Sequence, residues 1–391
     1  MGSVSDAPGV ILCVVGARPN YMKMAPLLRA FRAQRDLPRS ILVHTGQHYD
    51  PMLNDKLFED LNLPCPDLNL EVGSATHAVQ TAEVIRRFEP VLDDYQPSCV
   101  VVVGDVNSTL ACSLVAAKKM VPVVHVEAGL RSFDRAMPEE INRVLTDQLS
   151  DLLYTTERSA HDNLTREGIP SERIHFVGNV MIDTLVSHRQ HAVSPTETLR
   201  RARAPEGFLG SREPFGVVTL HRPSNVDRLD ALAESLNILR AVAERLPLIC
   251  ALHPRTVANI ATFGLAGKLE GTRVLMLPPQ GYLEMLGLMS AATVVLTDSG
   301  GIQEETTALS VPCLTMRENT ERPITVEQGT NTLVGRDRHR ILRLVEEILV
   351  TGGKRGRIPE LWDGRAAVRI AEHLSRWLAE CPSKRNFEIS E

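Results

Sequence analysis

Three acidic residues stand where a sheet could present them to a substrate. Asp105 and Glu127 each follow a run of valines, and Glu139 lies directly after Pro138. Open α/β sheets bind ligands at the carboxyl ends of their strands, and a carboxylate placed there is costly unless it is paired or functional. All three are therefore candidates for acid/base chemistry, although an acid after Pro138 also suits the first turn of a helix.

Basic residues accompany the turn that follows the first apolar run. The turn reads Gly16-Ala17-Arg18-Pro19, and Lys23 stands about one helical turn later. The turn lacks the glycine fingerprint of dinucleotide sites, and no acid closes the second predicted strand, which disfavours NAD. Arg18 and Lys23 could pair with phosphate or with catalytic carboxylates, but a solvated helix start would look the same.

The segment Thr297-Asp298-Ser299-Gly300-Gly301-Ile302-Gln303-Glu304-Glu305 follows one predicted strand and opens a helix. Its glycines permit close approach of the backbone, and the free N–H groups of a helix start favour an anion such as a diphosphate. An ordinary strand-to-helix turn is the alternative. Glu304 and Glu305 could accept hydrogen bonds from ribose hydroxyls or simply favour the helix dipole.

Histidines supply two further candidate sites. His221 and Arg222 follow an apolar run in the second half, where an imidazole and a guanidinium would suit a leaving diphosphate. His44 and His48 are four residues apart, but no third ligand stands at a suitable spacing. We therefore expect no metal site.

Strands and helices alternate along the chain in two successive series, which indicates parallel sheets covered on both faces. The 391 residues also exceed what one core supports, since single cores stop growing near about 250–300 residues. We predict an α/β fold of two doubly wound Rossmann-like domains. The predicted strands are Val10–Val15, Ser40–His44, Cys99–Val103, Val121–Val126 and Leu152–Thr155, then Gly216–Leu220, Leu248–Leu252, Val274–Leu277, Thr293–Thr297 and Pro312–Met316.

The same alternation sets the expected domain boundaries. The first domain is predicted to cover residues 9–182 and the second residues 213–363, with a linker at 183–212 that shows no strand pattern. Residues 364–380 are predicted to form an amphipathic helix, because apolar side chains recur there at helical spacing.

Composition limits the classes of function. The formal net charge is -5 and the basic residues are dispersed, so no basic stripe indicates nucleic acid as a partner. The first apolar stretch, Val10–Val15, is too short to serve as a signal peptide or a membrane span. The seven cysteines are isolated, which fits reduced, cytoplasmic surroundings.

Taken together in their order, these motifs resemble the non-hydrolysing UDP-N-acetylglucosamine 2-epimerases. The resemblance runs from about residue 10 to residue 380, and six motifs in the correct order make it specific. The motifs are Gly16-Ala17-Arg18-Pro19 with Lys23-Met24-Ala25-Pro26, Gly104-Asp105, His125-Val126-Glu127-Ala128-Gly129-Leu130-Arg131, Pro138-Glu139-Glu140 with Asn142-Arg143, His221-Arg222, and Asp298 to Glu305.

The resemblance implies the glycosyltransferase-B fold, in which two Rossmann-like domains enclose a cleft and the last helix returns to the first domain. It implies a homodimer and a reversible reaction on a UDP-sugar that needs neither a cofactor nor a metal. In that reaction UDP is expelled by anti elimination across C1 and C2, leaving 2-acetamidoglucal, and is then added back.

The resemblance also implies residue roles. Asp105, Glu127 and Glu139 would do the acid/base work, and Lys23 and His221 complete the catalytic set. Glu305 matches the family's ribose ligand, and the backbone near Met285 matches its uracil contact. The residues expected to bind substrate are Arg18, Arg143, Arg222, Gln280, Met285, Ser299, Gly300, Gly301 and Glu305.

The sequence motifs leave alternative functions and substrates open. The motifs say little about C3 and C6 of the sugar, so a 2-epimerase of a UDP-diacetamido-glucuronate is the nearest rival. A UDP-sugar glycosyltransferase of the same fold would not need the three acids. A hydrolysing epimerase and a non-catalytic nucleotide-sugar sensor are the remaining readings.

Overall fold

A computed structural model of the chain describes residues 9–47 and 58–380, and these residues form two compact units. Unit 1 extends to Val186 and resumes at Glu360, whereas unit 2 comprises Ser187–Pro359. Each unit contains one parallel sheet. The predicted α/β class with two doubly wound units is thereby confirmed.

The sheet of unit 1 has seven strands in the order β3-β2-β1-β4-β5-β6-β7. The strands are β1 (Val10–Val15), β2 (Arg39–His44), β3 (Leu68–Asn69), β4 (Cys99–Val103), β5 (Val123–Ala128), β6 (Leu152–Thr155) and β7 (Ile174–Phe176). The helices are α1 (Arg18–Ala33), α2 (His77–Tyr95), α3 (Asn107–Lys118), α4 (Pro138–Leu149), α5 (Arg158–Arg166) and α6 (Val180–His188), with a 3-10 turn at Ser171–Arg173.

Unit 2 repeats this architecture with six strands in the order β10-β9-β8-β11-β12-β13. The strands are β8 (Gly216–Thr219), β9 (Leu248–Ala251), β10 (Val274–Leu277), β11 (Val294–Thr297), β12 (Cys313–Thr315) and β13 (Asn331–Leu333). The helices are α7 (Pro195–Arg201), α8 (Pro223–Val226), α9 (Leu229–Ala243), α10 (Pro254–Thr262), α11 (Tyr282–Ala291), α12 (Gly300–Leu309), α13 (Pro323–Glu327) and α14 (Arg338–Thr351), and 3-10 turns lie at Arg189–His191 and Ala266–Leu269.

The central strands are apolar because helices cover both of their faces. Every residue of β4 is buried, and so is every residue of β11. β-branched side chains dominate both strands, as expected for a pleated surface that packs on two sides. In each unit the order of the strands reverses between β1 and β4 or between β8 and β11, and open α/β sheets bind ligands beyond the carboxyl ends of the strands at such a point.

Residues 183–212, expected to be a linker, are largely helical. They contain the end of α6, the 3-10 turn at Arg189–His191 and α7. Val193 donates its N–H to the carbonyl of Leu283 at 3.0 Å. A methyl group on Gly287 would lie only 1.7 Å from the Val193 carbonyl oxygen, so glycine is required for this close approach. The second half of the segment therefore packs within unit 2.

The last helix, α15 (Ala366–Glu380), packs against α1 in unit 1. Its first turn is capped from a distance by Asp183, whose carboxylate accepts the N–H groups of Ala366 at 3.1 Å and Ala367 at 2.7 Å. Burial raises the pKa of Asp183 to about 6, although these two N–H groups lower it. Within the described residues, no helix combines the length and apolarity needed to cross a membrane.

Candidate active site

The turn between β1 and α1 is fixed by Asn20. Its Oδ1 accepts the N–H groups of Gly16 at 3.2 Å and Ala17 at 3.0 Å, while its Nδ2 donates to the carbonyl of Val103 at 2.9 Å. Asn20 thus joins the end of β1 to the end of β4. Arg18 begins α1 beside this turn and is partly exposed, as a residue that contacts substrate would be.

Lys23 and Glu127 form a buried ion pair at the carboxyl edge of the sheet. Glu127 adopts φ of 76°, and the register between β5 and β6 shifts between Val126 and Ala128. A bulge of this kind redirects a side chain, and left-handed backbone in a residue other than glycine is strained. The strain at Glu127 marks it as a residue that the surrounding structure holds in place.

Gly104 leaves the space in which this ion pair lies. Its φ is 68°, and a methyl group there would come within 2.8 Å of Lys23 Nζ and 3.6 Å of Glu127 Oε2. Only glycine meets both requirements without displacing a neighbour.

Arg143 links two carboxylates on different elements. Its Nη1 donates to Oδ2 of Asp105 at 2.5 Å, and its Nε and Nη2 donate to Oε2 of Glu140 at 2.9 Å and 2.6 Å. Glu140 also accepts the N–H groups of Ser132 and Phe133, at 3.0 Å and 2.8 Å. Although burial raises the pKa of Glu140, these N–H groups and Arg143 bring it below its usual value. Glu140 therefore positions Arg143 and the loop before α4.

Glu139 lies on the first turn of α4 and is partly exposed. It precedes Arg143 by four residues, and side chains at this spacing share one face of a helix. Arg143 in turn contacts Asp105. The predicted catalytic acids and bases of the first half thus occupy the ends of β4 and β5 and the facing starts of α1 and α4.

In unit 2, Asp298 is the centre of the turn after β11. Its carboxylate accepts the N–H groups of His221, both oxygens at 3.1 Å, and of Arg222 at 2.9 Å. It also accepts Nδ2 of Asn225 at 3.1 Å and lies 3.0 Å from Nδ1 of His221. Burial raises the pKa of Asp298, but the His221 ring and these donors bring it below its usual value. His221 is thereby oriented through Nδ1, while its side chain remains 40% exposed.

Ser299 is the N-cap of α12, and Gly300 and Gly301 are its first residues. A methyl group on Gly300 would lie 2.5 Å from Oε1 of Glu321, so alanine at this position would displace that carboxylate. Buried Glu321 contacts Arg317 at 2.7 Å and Arg222 at 3.7 Å. The free N–H groups of the helix start therefore lie beside buried arginines, an arrangement that favours an anion.

Glu304 and Glu305 are both buried, which excludes solvated first-turn acids. Glu304 pairs with Arg322 at 3.1 Å. Glu305 lies beside the hydroxyl of Tyr282, and burial raises the pKa of Glu305 to about 7, although the Tyr282 hydroxyl lowers it. The two neighbouring acids thus have different surroundings: Glu304 lies beside a guanidinium and Glu305 beside a phenol.

Gln280 and Met285 flank the start of α11. Nε2 of Gln280 donates to the carbonyl of Pro278 at 2.7 Å, which shapes the loop that it belongs to. Met285 is partly buried and packs against the apolar core of unit 2. Its side chain is thus a packing residue, while its backbone lies in the first turn of α11.

Several residues that shape these sites had no recognisable signal of their own in the sequence. Asn20, Asp147 and Arg317 stand in helices or loops where a polar residue is unremarkable, and only their contacts in the fold reveal them. No group of three or more His, Cys, Asp or Glu side chains able to hold a metal occurs among residues 9–47 and 58–380. His48 lies outside these described residues.

Comparison with known proteins gives a consistent result. Residues 30–375 match the family model described as UDP-N-acetylglucosamine 2-epimerase. A UDP-N-acetylglucosamine 2-epimerase of Methanocaldococcus jannaschii is 41% identical over 368 residues, covering 93% of this chain and 98% of the relative. A UDP-2,3-diacetamido-2,3-dideoxy-D-glucuronate 2-epimerase of Pseudomonas aeruginosa is 41% identical over 375 residues, covering 94% and 99%.

Solved structures agree. A crystal structure of the M. jannaschii UDP-GlcNAc 2-epimerase in complex with UDP-GlcNAc and UDP matches with 38% identity and a TM-score of 0.82, covering 94% of this chain and 99% of that one. The UDP-GlcNAc 2-epimerase of Neisseria meningitidis, bound to UDP-GlcNAc, matches with 29% identity and the same TM-score, covering 94% and 100%. The fold is of the glycosyltransferase-B class. The chain belongs to the UDP-N-acetylglucosamine 2-epimerase family.

Proposed function

We propose that this chain interconverts UDP-N-acetylglucosamine and UDP-N-acetylmannosamine by inverting C2. The observation that carries the proposal is the pairing of acids with cations at one sheet edge, Glu127 with Lys23 and Asp105 with Arg143. Such pairs hold carboxylates in fixed positions at the sheet edge, and positioned carboxylates can transfer protons to and from carbon.

In the proposed reaction a carboxylate removes the proton from C2, and the electron pair forms the C1–C2 double bond as the C1–O bond to UDP breaks. The charge left on the diphosphate would be met by His221, by the Ser299 hydroxyl, by the N–H of Gly300 and by Arg222. Protonation of C2 from the opposite face, with return of the UDP oxygen to C1, completes the inversion. Asp105, Glu127 and Glu139 are the proposed proton-handling groups, with Arg18, Lys23 and Arg143 organising them.

Reaction in D₂O tests this proposal directly. Elimination and re-addition exchange the C2 hydrogen with solvent, so both the product and the recovered UDP-N-acetylglucosamine should carry deuterium at C2. Proton NMR of the sugar would show loss of the C2 signal together with appearance of the manno isomer. Protium retained at C2 in the product would exclude the mechanism, and free N-acetylmannosamine would indicate a hydrolysing enzyme.

A second candidate substrate is UDP-2,3-diacetamido-2,3-dideoxy-glucuronate. It is favoured by a specific observation: the P. aeruginosa relative named for this sugar is as similar to the chain as the M. jannaschii epimerase is. The two sugars differ at C3 and C6 but share UDP and the 2-acetamido group. Comparison of kcat/KM for the two substrates, each followed by C2 exchange, decides between them.

We further propose that Glu305 binds the ribose as a carboxylate, and that UDP binding therefore depends on pH. Burial raises the pKa of this carboxyl to about 7, so the folded enzyme without ligand holds the proton at pH 6 and has released it by pH 8. If the hydroxyls bind only the carboxylate, the Kd for UDP should fall about tenfold from pH 6 to pH 8. Calorimetry should measure the change in Kd between pH 6 and pH 8 in wild type and in Glu305→Gln. The comparison is needed because UDP itself also titrates, and it does so equally with both proteins. An equal slope in the two proteins would contradict the assignment.

The enzyme is also proposed to be a homodimer that associates through the outer faces of α2 and α4. Val79, Ile141 and Leu145 are 54%, 41% and 45% exposed on these helices. Ile141 also lines a shallow depression of about 410 Å³ together with Ala78 and Ile85. Exposed apolar side chains around such a depression can mark an interaction site, and the like face of a second chain would cover them.

Ile141→Lys is expected to convert a dimer into monomers, because two buried ammonium groups would face each other across a two-fold interface. Sedimentation equilibrium would measure the mass. Val368→Lys is the matched control, since Val368 is 40% exposed on α15, on another face. A wild-type monomer, or an Ile141→Lys variant that stays dimeric, would refute this surface.

We place the enzyme in the cytoplasm. Cys13, Cys99, Cys112, Cys250 and Cys313 are free and buried in the described part of the chain. Burial raises the pKa of the Cys13 and Cys250 thiols to about 12, which keeps them protonated and inert. Such thiols fit a reducing compartment.

A further inference from the structure

Asp147 is a fully buried acid on α4 that the acid/base chemistry does not use. Its Oδ1 accepts a hydrogen bond from Nδ1 of His125 at 2.6 Å, and its Oδ2 accepts the N–H of Gly129 at 3.0 Å. Nη2 of Arg131 lies 2.7 Å from the same Oδ2. Although burial raises the pKa of Asp147, His125 and Arg131 bring it below its usual value, so the carboxylate form is held in the fold.

These contacts enclose the strained position of β5. His125 precedes Glu127 by two residues, and Gly129 follows it by two. Glu127 adopts φ of 76° and Gly129 adopts φ of 80°. One carboxylate therefore binds both sides of the bulge that directs Glu127 toward Lys23, and it does so from a different element, α4.

The ring of His125 also contacts the backbone next to Asp105, the second of the proposed catalytic acids. Its Nε2 lies 2.8 Å from the carbonyl oxygen of Gly104, the residue before Asp105. A carbonyl oxygen only accepts hydrogen bonds, so Nε2 of His125 carries a proton and donates to Gly104. The ring thus joins the Asp147 carboxylate to the backbone next to Asp105.

The carbonyls of Val103, Gly104 and Asp105, at the end of β4, each accept a hydrogen bond from a side chain of another element. Asn20 donates to Val103 at 2.9 Å, His125 donates to Gly104, and Nδ2 of Asn142 donates to Asp105 at 2.9 Å. Of these three donors, only His125 lies on the strand that also carries Glu127. It therefore adds a side-chain connection to the backbone bond that the Gly104 N–H already makes to the Val126 carbonyl at 3.1 Å.

We propose that the buried pair Asp147 and His125 sets the position of Glu127 relative to Asp105, and that both are positioning residues for the proton transfers at C2. The inference rests on the proposed epimerase reaction. It assigns no contact with substrate to either residue. Its consequence is that losing Asp147 should slow chemistry while leaving binding of the nucleotide intact, because the two acids would no longer be held at their working separation.

Asp147→Asn and its matched control Asp151→Asn test this. Asp151 accepts the N–H of Val123 at 2.9 Å, so it anchors the opposite end of the same strand through the same kind of bond. We expect kcat and the rate of C2 exchange to fall about 10²-fold in Asp147→Asn, since a displacement of about 1 Å has that effect. KM and the Kd for UDP should change less than about twofold. Asp151→Asn should lose thermal stability but keep kcat.

The outcomes separate the two proposals. A wild-type enzyme that exchanges C2 hydrogen with neither UDP-sugar would refute the proposed function. An active wild type with kcat unchanged in Asp147→Asn, or with kcat lowered equally in both variants, would refute the inference alone.

A measurement on the native protein covers the case in which Asp147→Asn fails to fold. In ¹⁵N-histidine-labelled wild type, Nε2 of His125 should carry a proton, because it donates to the Gly104 carbonyl. This signal is recognised by slow hydrogen exchange, because the side chain is 0% exposed. A bare Nε2 at His125 would overturn the proposal, since the bond to Gly104 would then be absent.

Discussion

Glu127→Gln is expected to reduce epimerisation and C2 exchange together by about 10²-fold or more, which is the usual contribution of a general acid or base. The amide cannot take a proton, and it leaves buried Lys23 without its carboxylate. Asp105→Asn and Glu139→Gln should behave alike if they too handle or position protons. Deuterium incorporation at C2 and formation of the manno isomer measure both effects in one sample.

Binding of UDP distinguishes lost chemistry from lost structure. The proposed nucleotide contacts are carried by unit 2, so all three variants should retain the wild-type Kd for UDP in calorimetry. Glu83→Gln supplies a matched control, because Glu83 pairs with Arg86 and Arg87 on the surface of α2, and exposed pairs of this kind contribute little. Near-normal rates in all three acid variants would mean that other residues transfer the protons.

The sequence predicted the fold well because the patterns that specify strands and helices are local. Cys99–Val103 and Leu152–Thr155 are strands as expected, since short β-branched runs between amphipathic stretches have few alternatives. Three strands were missed, namely Leu68–Asn69, Ile174–Phe176 and Asn331–Leu333. Each lies at the edge of its sheet and has two or three residues, too few to show a pattern.

The site was less accessible to prediction because its geometry depends on distant contacts. Glu127 was expected after the end of its strand, whereas β5 continues through it to Ala128 with a bulge. Nothing in Val-His-Val-Glu-Ala signals a left-handed residue. The residue that binds both sides of this position, Asp147, lies about twenty residues further along the chain. Glu304 and Glu305 likewise look equivalent as neighbouring acids in the sequence. In the fold, Arg322 pairs with Glu304.

Gly104→Ala is expected to cause a second large loss of activity, this time without altering any charged group. A left-handed alanine costs about 1–2 kcal/mol of stability wherever it stands. At Gly104 the new methyl would also come within 2.8 Å of Lys23 Nζ. Lys23 must then move from Glu127, and we expect kcat to fall about 10²-fold while UDP still binds.

Gly168→Ala separates the effect of left-handed backbone strain from the effect of the contact with Lys23. Gly168 has φ of 83°, and a methyl group there would meet nothing within 4 Å. Both variants should therefore unfold at a similarly lowered temperature, but only Gly104→Ala should lose C2 exchange. Thermal unfolding and exchange in D₂O, measured on the same preparations, give the two quantities. If Gly104→Ala kept kcat at its reduced stability, the close approach of Gly104 to Lys23 would have no part in catalysis. If both variants lost exchange equally, the effect would come from general destabilisation of unit 1.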